Sequence, residues 1–476
     1  MYKYSKILWV AALLLAAGTS GQAQGHREDI YAESVLYQKR VALEKDLRER
    51  VIAHNMTLPL DSNTEDKFLS ACNAISQFLF YSPEAAKGFK TLFDGYDSLS
   101  YDMRRALLEA VYAVTGSRYQ DTVRAVLERE SNPKLFAMCA VYLYRADTGI
   151  ESSNLLKIKM VEKFPGYDTV PLLRELEKYL TYHEMEKHDK TPELSTLFDY
   201  AKKKGQKVIY SFQRWNRDYP GLAIVQDENG HFVRNAEGRV QVFQQLARSG
   251  SDLPYFITDG STPQGVYSIQ GIGVSGTPFI GPTPNLQLLM PFEGTWEQYF
   301  LPEAGDSAGA EDGAGGHTGS SAGKGDGGPA GSAGGKGSVG NGEAGDGAGG
   351  DSLQQYRALM PPDWREYAPM MEAWSAGRIG RTEIIAHGTT IDPEYFKDKP
   401  FYPLTPTMGC LCAKELWNPT SGHLLVSEQY GLVSAFMATP GRTGYLYVIN
   451  LDDQRKPVSR AEVESQVQRW EAKLGR

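Results

Sequence analysis

Hydrophobic and polar positions follow two different rhythms along the chain. From residue 27 to 204, Leu, Ala and aromatic residues recur at helical spacing among Glu, Lys and Arg, as in "DMRRALLEAVYAV", "DTVRAVLERE" and "SNPKLFAMCAVYLYRAD". Breaks such as "TGSRYQ" and "ESNPK" separate paired helices. The pattern predicts an all-α domain, either a HEAT-like stack or an irregular helical array. Near Lys207 the period shortens to two. "KVIYSFQR", "LAIVQD", "HFVRN", "RVQVFQQLA" and "PYFITDG" are rich in β-branched and aromatic residues and bounded by turn residues, so they predict strands. Asn229 and Gly230 between two such runs mark a tight turn. Strand-like sequence resumes at "RTEIIAHGTT" and "TGYLYVINL", and an amphipathic helix closes the chain over 458–476. The expected class is therefore α+β, with a mostly β domain over 205–457.

Two segments stand outside these rhythms. Residues 304–351 contain no aromatic residue and one β-branched aliphatic residue, Val339. Such an insert cannot bury enough surface to offset its ordering entropy, and it predicts a disordered, solvated loop within the β domain. Residues 1–24 combine Lys3 and Lys6 with the run "ILWVAALLLAA" and a small-residue end. That is a signal-peptide pattern and predicts a periplasmic or secreted protein without a membrane span after its removal.

Composition narrows the partners. A net charge of −8 leaves no basic stripe, so nucleic acid is not an expected partner. The eight histidines are scattered. Four cysteines in 476 residues are too few for a disulfide framework. Cys72 and Cys139 lie on apolar helix faces and read as buried thiols.

Chemistry concentrates in three stretches of the β half: "TPQGVYSI" (262–269), "IIAHGTT" (384–390) and "TPTMGCLC" (405–412). In this order they resemble the catalytic domain of the L,D-transpeptidases, or YkuD-like domains, which cross-link or edit bacterial peptidoglycan through a cysteine nucleophile. Thr262, Pro263, Gly265, Tyr267 and Ile269 fit the first element of that family, His387 and Gly388 the second, and Thr407, Gly409 and Cys410 the third. Met408 stands where the family has His, and Cys412 where it has Arg. The resemblance implies Cys410 as nucleophile, His387 as general base and the Gly409 backbone in an oxyanion hole. It places Gly388, Thr407, Met408, Cys412 and Tyr267 at substrate-binding positions and calls for no metal or organic cofactor. Peptidoglycan stem peptides would be the partners, with a possible protein partner for the helical domain.

The residue types suit that chemistry. A free thiol is mostly protonated at neutral pH, and an imidazole within reach both removes its proton and returns it to a leaving amine. A glycine before the nucleophile lets the backbone turn tightly and aim amide N–H groups at a developing oxyanion. "AKELW" after Cys412 reads as the start of a short helix. Cys412 itself has three readings: a strained redox partner of Cys410, a small buried residue, or part of a metal site, for which C-x-C spacing fits poorly. A catalytically inactive wall-binding or scaffold module is the alternative function.

Overall fold

The computed structural model describes residues 27–184, 190–301 and 346–475. The expected signal segment and nearly all of the 304–351 insert lie outside the described residues. The insert's last residues do not: they open a helix, Asp346–Ala358.

The chain builds helices and a closed, mixed eight-strand barrel, an α+β protein. Among the described residues eight α-helices run from Glu65–Phe78 to Leu194–Lys204, two of them Tyr101–Val114 and Pro133–Ala146. Their starts are written in the sequence. Ser82, Ser100 and Asn132 each accept a backbone N–H in the first helical turn, and Pro83 and Pro133 follow two of these caps. Cys72 and Cys139 are free and fully buried in the shared helical core.

The barrel strands are β2 (Val208–Gln213), β3 (Gly221–Gln226), β4 (Phe243–Leu246), β5 (Gly265–Gly273), β6 (Asn285–Leu289), β7 (Ala386–His387), β8 (Leu411–Ala413) and β11 (Gly444–Asn450). Around the barrel they run β11-β2-β3-β4-β8-β7-β6-β5. Two neighbouring pairs, β11 with β2 and β7 with β8, are parallel. Alternate side chains such as Ile209, Val225, Tyr267, Leu288, Ala386, Leu411 and Val448 fill a dry core. The turn at Asn229 and Gly230 forms, with Gly230 at φ +87°.

A second, three-stranded sheet joins β1 (Arg27–Tyr31), β10 (His423–Ser427) and β9 (Glu415–Trp417). "AKELW" is thus a strand, not a helix start. Glu415 is drawn inward as an acceptor for Thr389 N and Ser427 Oγ, which fixes the extended backbone on that side.

"PYFITDG" departs most from expectation. It forms irregular turns, and Leu253, Phe256 and Ile257 insert into the core of the helical half. Two successive turns, closed by Ile257 N on Pro254 O and Gly260 N on Ile257 O, fold the loop into that position. The last helix of the 27–204 stretch, Leu194–Lys204, packs on the C-terminal helix Arg460–Leu474 and on the barrel, with Phe198 edge-on to Tyr210 and Trp470. Ser459 and Glu462 start that C-terminal helix with a reciprocal capping box. Among the described residues no helix is long and apolar enough to cross a membrane.

Candidate active site

The three sequence elements meet where β7 and β8 run side by side. Ala386 lies abreast of Leu411 and His387 abreast of Cys412. Since Ala386 and Leu411 point into the barrel, His387, Cys410 and Cys412 share its outer face. The first element reaches the third through Thr262, whose Oγ1 donates to Gly409 O at 2.9 Å.

Thr407 organises the turn before Cys410. Its Oγ1 donates to Cys410 O at 2.8 Å and accepts from Gly409 N at 3.1 Å. Gly250 N donates to Thr407 O at 2.7 Å, tying the turn to the loop that enters the helical core. The Gly409 N–H is therefore engaged within the turn and does not face an oxyanion, contrary to the sequence expectation. A short turn closed by a threonine hydroxyl takes the nearest donor for itself. The Cys410 N–H has no backbone or side-chain acceptor among the described residues and remains as the turn's donor.

Gly409 has a different reason to be glycine. Its φ is +113°, and a Cβ there would overlap the Arg381 guanidinium and stand 2.7 Å from Gly260 O. Gly409→Ala is expected to cost about 3 kcal/mol in denaturant unfolding, combining backbone strain with overpacking. Gly380→Ala is the control. Gly380 also has positive φ, at +94°, but open space around it, so its substitution should cost about 1 kcal/mol. Equal losses at the two positions would mean that the Arg381 contact contributes nothing.

The His387 ring is held from one side. Its Nδ1 lies 2.5 Å from Gly388 O. A carbonyl only accepts, so Nδ1 carries the hydrogen and Nε2 keeps its lone pair. Gly388 is pressed against the Glu415 carboxylate, where a Cβ would overlap it. Burial pushes the imidazole down to about 4, against the opposing effect of Gly388 O. Burial also raises Glu415 to about 7, opposed by the Ser427 and Thr283 hydroxyls and by Thr389 N–H. At neutral pH His387 is a neutral imidazole with one free basic nitrogen.

Cys410 is the one cysteine of the four that is not buried. Its sulfur accepts from Ile385 N and lies against Glu383 O, each at 3.5 Å. Although the residue reaches the surface, protein atoms around the sulfur desolvate it, and this burial pushes the thiol up to about 11. The Ile385 N–H and the charge of Arg381 oppose that rise, while Asp259 and Glu293 add to it. No hydrogen bond joins Sγ to His387 among the described residues. The strand register accounts for this: His387 sits beside Cys412, two residues or about 7 Å further along β8.

The remaining expected substrate contacts divide. Met408, half-buried, lies in the nucleophile turn. Cys412 is free and buried, with Sγ 3.6 Å from Thr405 Oγ1. Tyr267 is fully buried in the barrel and donates to Pro263 O at 2.8 Å, so it supports the first element from inside the core and presents no surface to a substrate. The alternation of β5 turns that side chain inward. No sequence motif marks Arg381. The signal for it would have been an arginine at the head of the "RTEIIAHG" run.

No family model, curated protein or solved structure matches this chain.

Proposed function

We propose that the chain is an exported cysteine acyltransferase of the L,D-transpeptidase kind, acting on peptidoglycan stem peptides. One observation carries this reading: Cys410, the one cysteine not fully buried, immediately precedes the strand paired with the one that carries His387, an imidazole whose Nδ1 is fixed on a backbone carbonyl, leaving Nε2 as a base. In the proposed reaction Cys410 Sγ attacks the carbonyl carbon linking the third stem residue to the terminal D-amino acid. Its proton passes to His387 Nε2 as the S–C bond forms. The oxyanion is received at the Cys410 N–H. Collapse breaks the C–N bond, and His387 returns the proton to the leaving amine. An amine of a neighbouring stem then attacks the thioester and regenerates the thiol. Water in its place gives a carboxypeptidase.

With the thiol at about 11 and the imidazole at about 4, the resting pair is neutral. Proton transfer accompanies attack and does not precede it. In the proposed reaction the offset of about 7 Å along the strand is closed by substrate-induced movement of the nucleophile turn towards His387.

A second reading has its own support. The engaged Gly409 N–H and the missing Sγ–His387 hydrogen bond favour a stem-peptide-binding module without turnover. Incubation with disaccharide tetrapeptides separates the two. Release of the terminal D-amino acid supports the transferase. Saturable binding with every stem intact supports the binding module and overturns the first reading.

A further inference from the structure

Arg381 is a cation placed among carbonyls. It is 7 % exposed, and its Nη1 donates to Tyr255 O at 2.5 Å and Ser261 O at 3.0 Å while Nη2 donates to Gly260 O at 2.9 Å. Among the described residues no carboxylate pairs with it within 4 Å. A guanidinium at such a position is costly to bury unless its environment gains from the charge. The neighbour that gains is the nucleophile turn: Arg381 packs so closely on Gly409 that no Cβ fits between them, and its field reaches the Cys410 sulfur.

The carbonyls that hold Arg381 belong to the loop anchored in the helical half. Leu253, Phe256 and Ile257 plug the helical core. Asp259 pairs with Arg105 at 2.9 Å, and Lys134 Nζ donates to Thr258 Oγ1 at 2.8 Å. Glu175, from a third helix, accepts from Tyr255 Oη and from Ser375 Oγ. A continuous set of contacts thus runs from three helices through Tyr255–Ser261 to Arg381 and on to Gly409 and Cys410.

We propose that Arg381 is the positioning residue of the nucleophile turn, holding Gly409 and Cys410 against a loop that the helical half keeps in place and supplying the positive charge that favours the Cys410 thiolate. The helical half is, on this account, a buttress of the site. The proposal rests on Cys410 being the reactive thiol, but its test does not require turnover. Other groups act on the sulfur as well. Asp259 and Glu293 oppose ionisation, the Ile385 N–H favours it, Cys412 lies two residues along the same face, and His387 is neutral above pH 4. None but Arg381 brings a cation.

The test is the pH dependence of Cys410 alkylation by iodoacetamide, read by peptide mass spectrometry on the full chain. Arg381→Gln keeps a donor and removes the charge. Its thiol titration should move up by about one unit, so that alkylation at pH 8 slows about tenfold. Arg381→Lys should recover at least half of that shift. A folded Arg381→Gln protein with the wild-type titration curve would overturn the proposal, as would equal curves for the Gln and Lys variants. The unmodified protein supplies a check in case the Gln variant does not fold. A cation beside the sulfur favours an anionic reagent, so the rate ratio of iodoacetate to iodoacetamide at Cys410 should exceed that of the same cysteine in urea. A ratio at or below the urea value would contradict the proposal. Either result leaves acyl transfer to be decided by its own assay, so the two failures are distinguishable.

Discussion

Cys410→Ala is expected to reduce kcat/KM for stem-peptide transfer by about 10⁴-fold or more, to the background of the uncatalysed reaction, because the other three cysteines are buried and no second thiol can form the acyl-enzyme in its place. Stability should change little. The Cys410 side chain is half-buried and makes only two long sulfur contacts, so the unfolding free energy should stay within about 0.5 kcal/mol of the wild type. Cys412→Ala should show the opposite pattern. That side chain is fully buried beside Leu246 and Thr405, and its truncation should cost about 1 kcal/mol while transfer continues. Transfer that survives Cys410→Ala and disappears with Cys412→Ala would move the nucleophile to the neighbouring rung of β8.

His387→Gln is expected to lower kcat by about 10² to 10⁴-fold, the usual range for a positioned base. The pH profile gives a sharper signature. With the imidazole held at about 4, the acid limb of kcat/KM should fall near pH 4 and not near the ordinary histidine value. An acid limb at pH 6.5 or above would mean that His387 is not the group whose protonation stops the reaction. Folding stability carries a linked effect. Between pH 6.5 and 4 the unfolded chain takes up a proton at this position that the folded chain refuses. The His387 contribution is therefore complete above pH 6.5 and falls by about 3 kcal/mol as pH drops to 4. In urea titrations His387→Gln should lose that slope and keep the rest of the acid profile.

Much of this arrangement could be read from the chain. The change of period near Lys207 marks the start of the barrel, because strand alternation and helical spacing are local properties. Thr262, His387 and Cys410 could be grouped through short motifs, and the strands bring their elements to one place. What escaped was non-local. "PYFITDG" has a strand's composition, but Phe256 and Ile257, with Leu253 just before it, pack into a helical core built from residues 47–180. β1 pairs with β10 across nearly 400 residues, and nothing in "REDIY" announces its partner. Gly409 reads as an oxyanion-hole residue until its N–H is seen on Thr407 Oγ1 and its α-carbon against Arg381. Arg381 itself has no spacing rule, since its role comes from carbonyls 120 residues and more upstream.

The most direct test of the account is the mass of Cys410 during turnover. The full-length protein mixed with disaccharide tetrapeptide, quenched in acid within seconds and digested should yield the Cys410 peptide carrying the acyl remainder of the stem. The terminal D-amino acid should appear in equal amount, and hydroxylamine should remove the adduct as expected of a thioester. Unmodified Cys410 with consumed substrate, or an adduct on any other residue, would contradict the assignment of Cys410 as the acyl-carrying nucleophile.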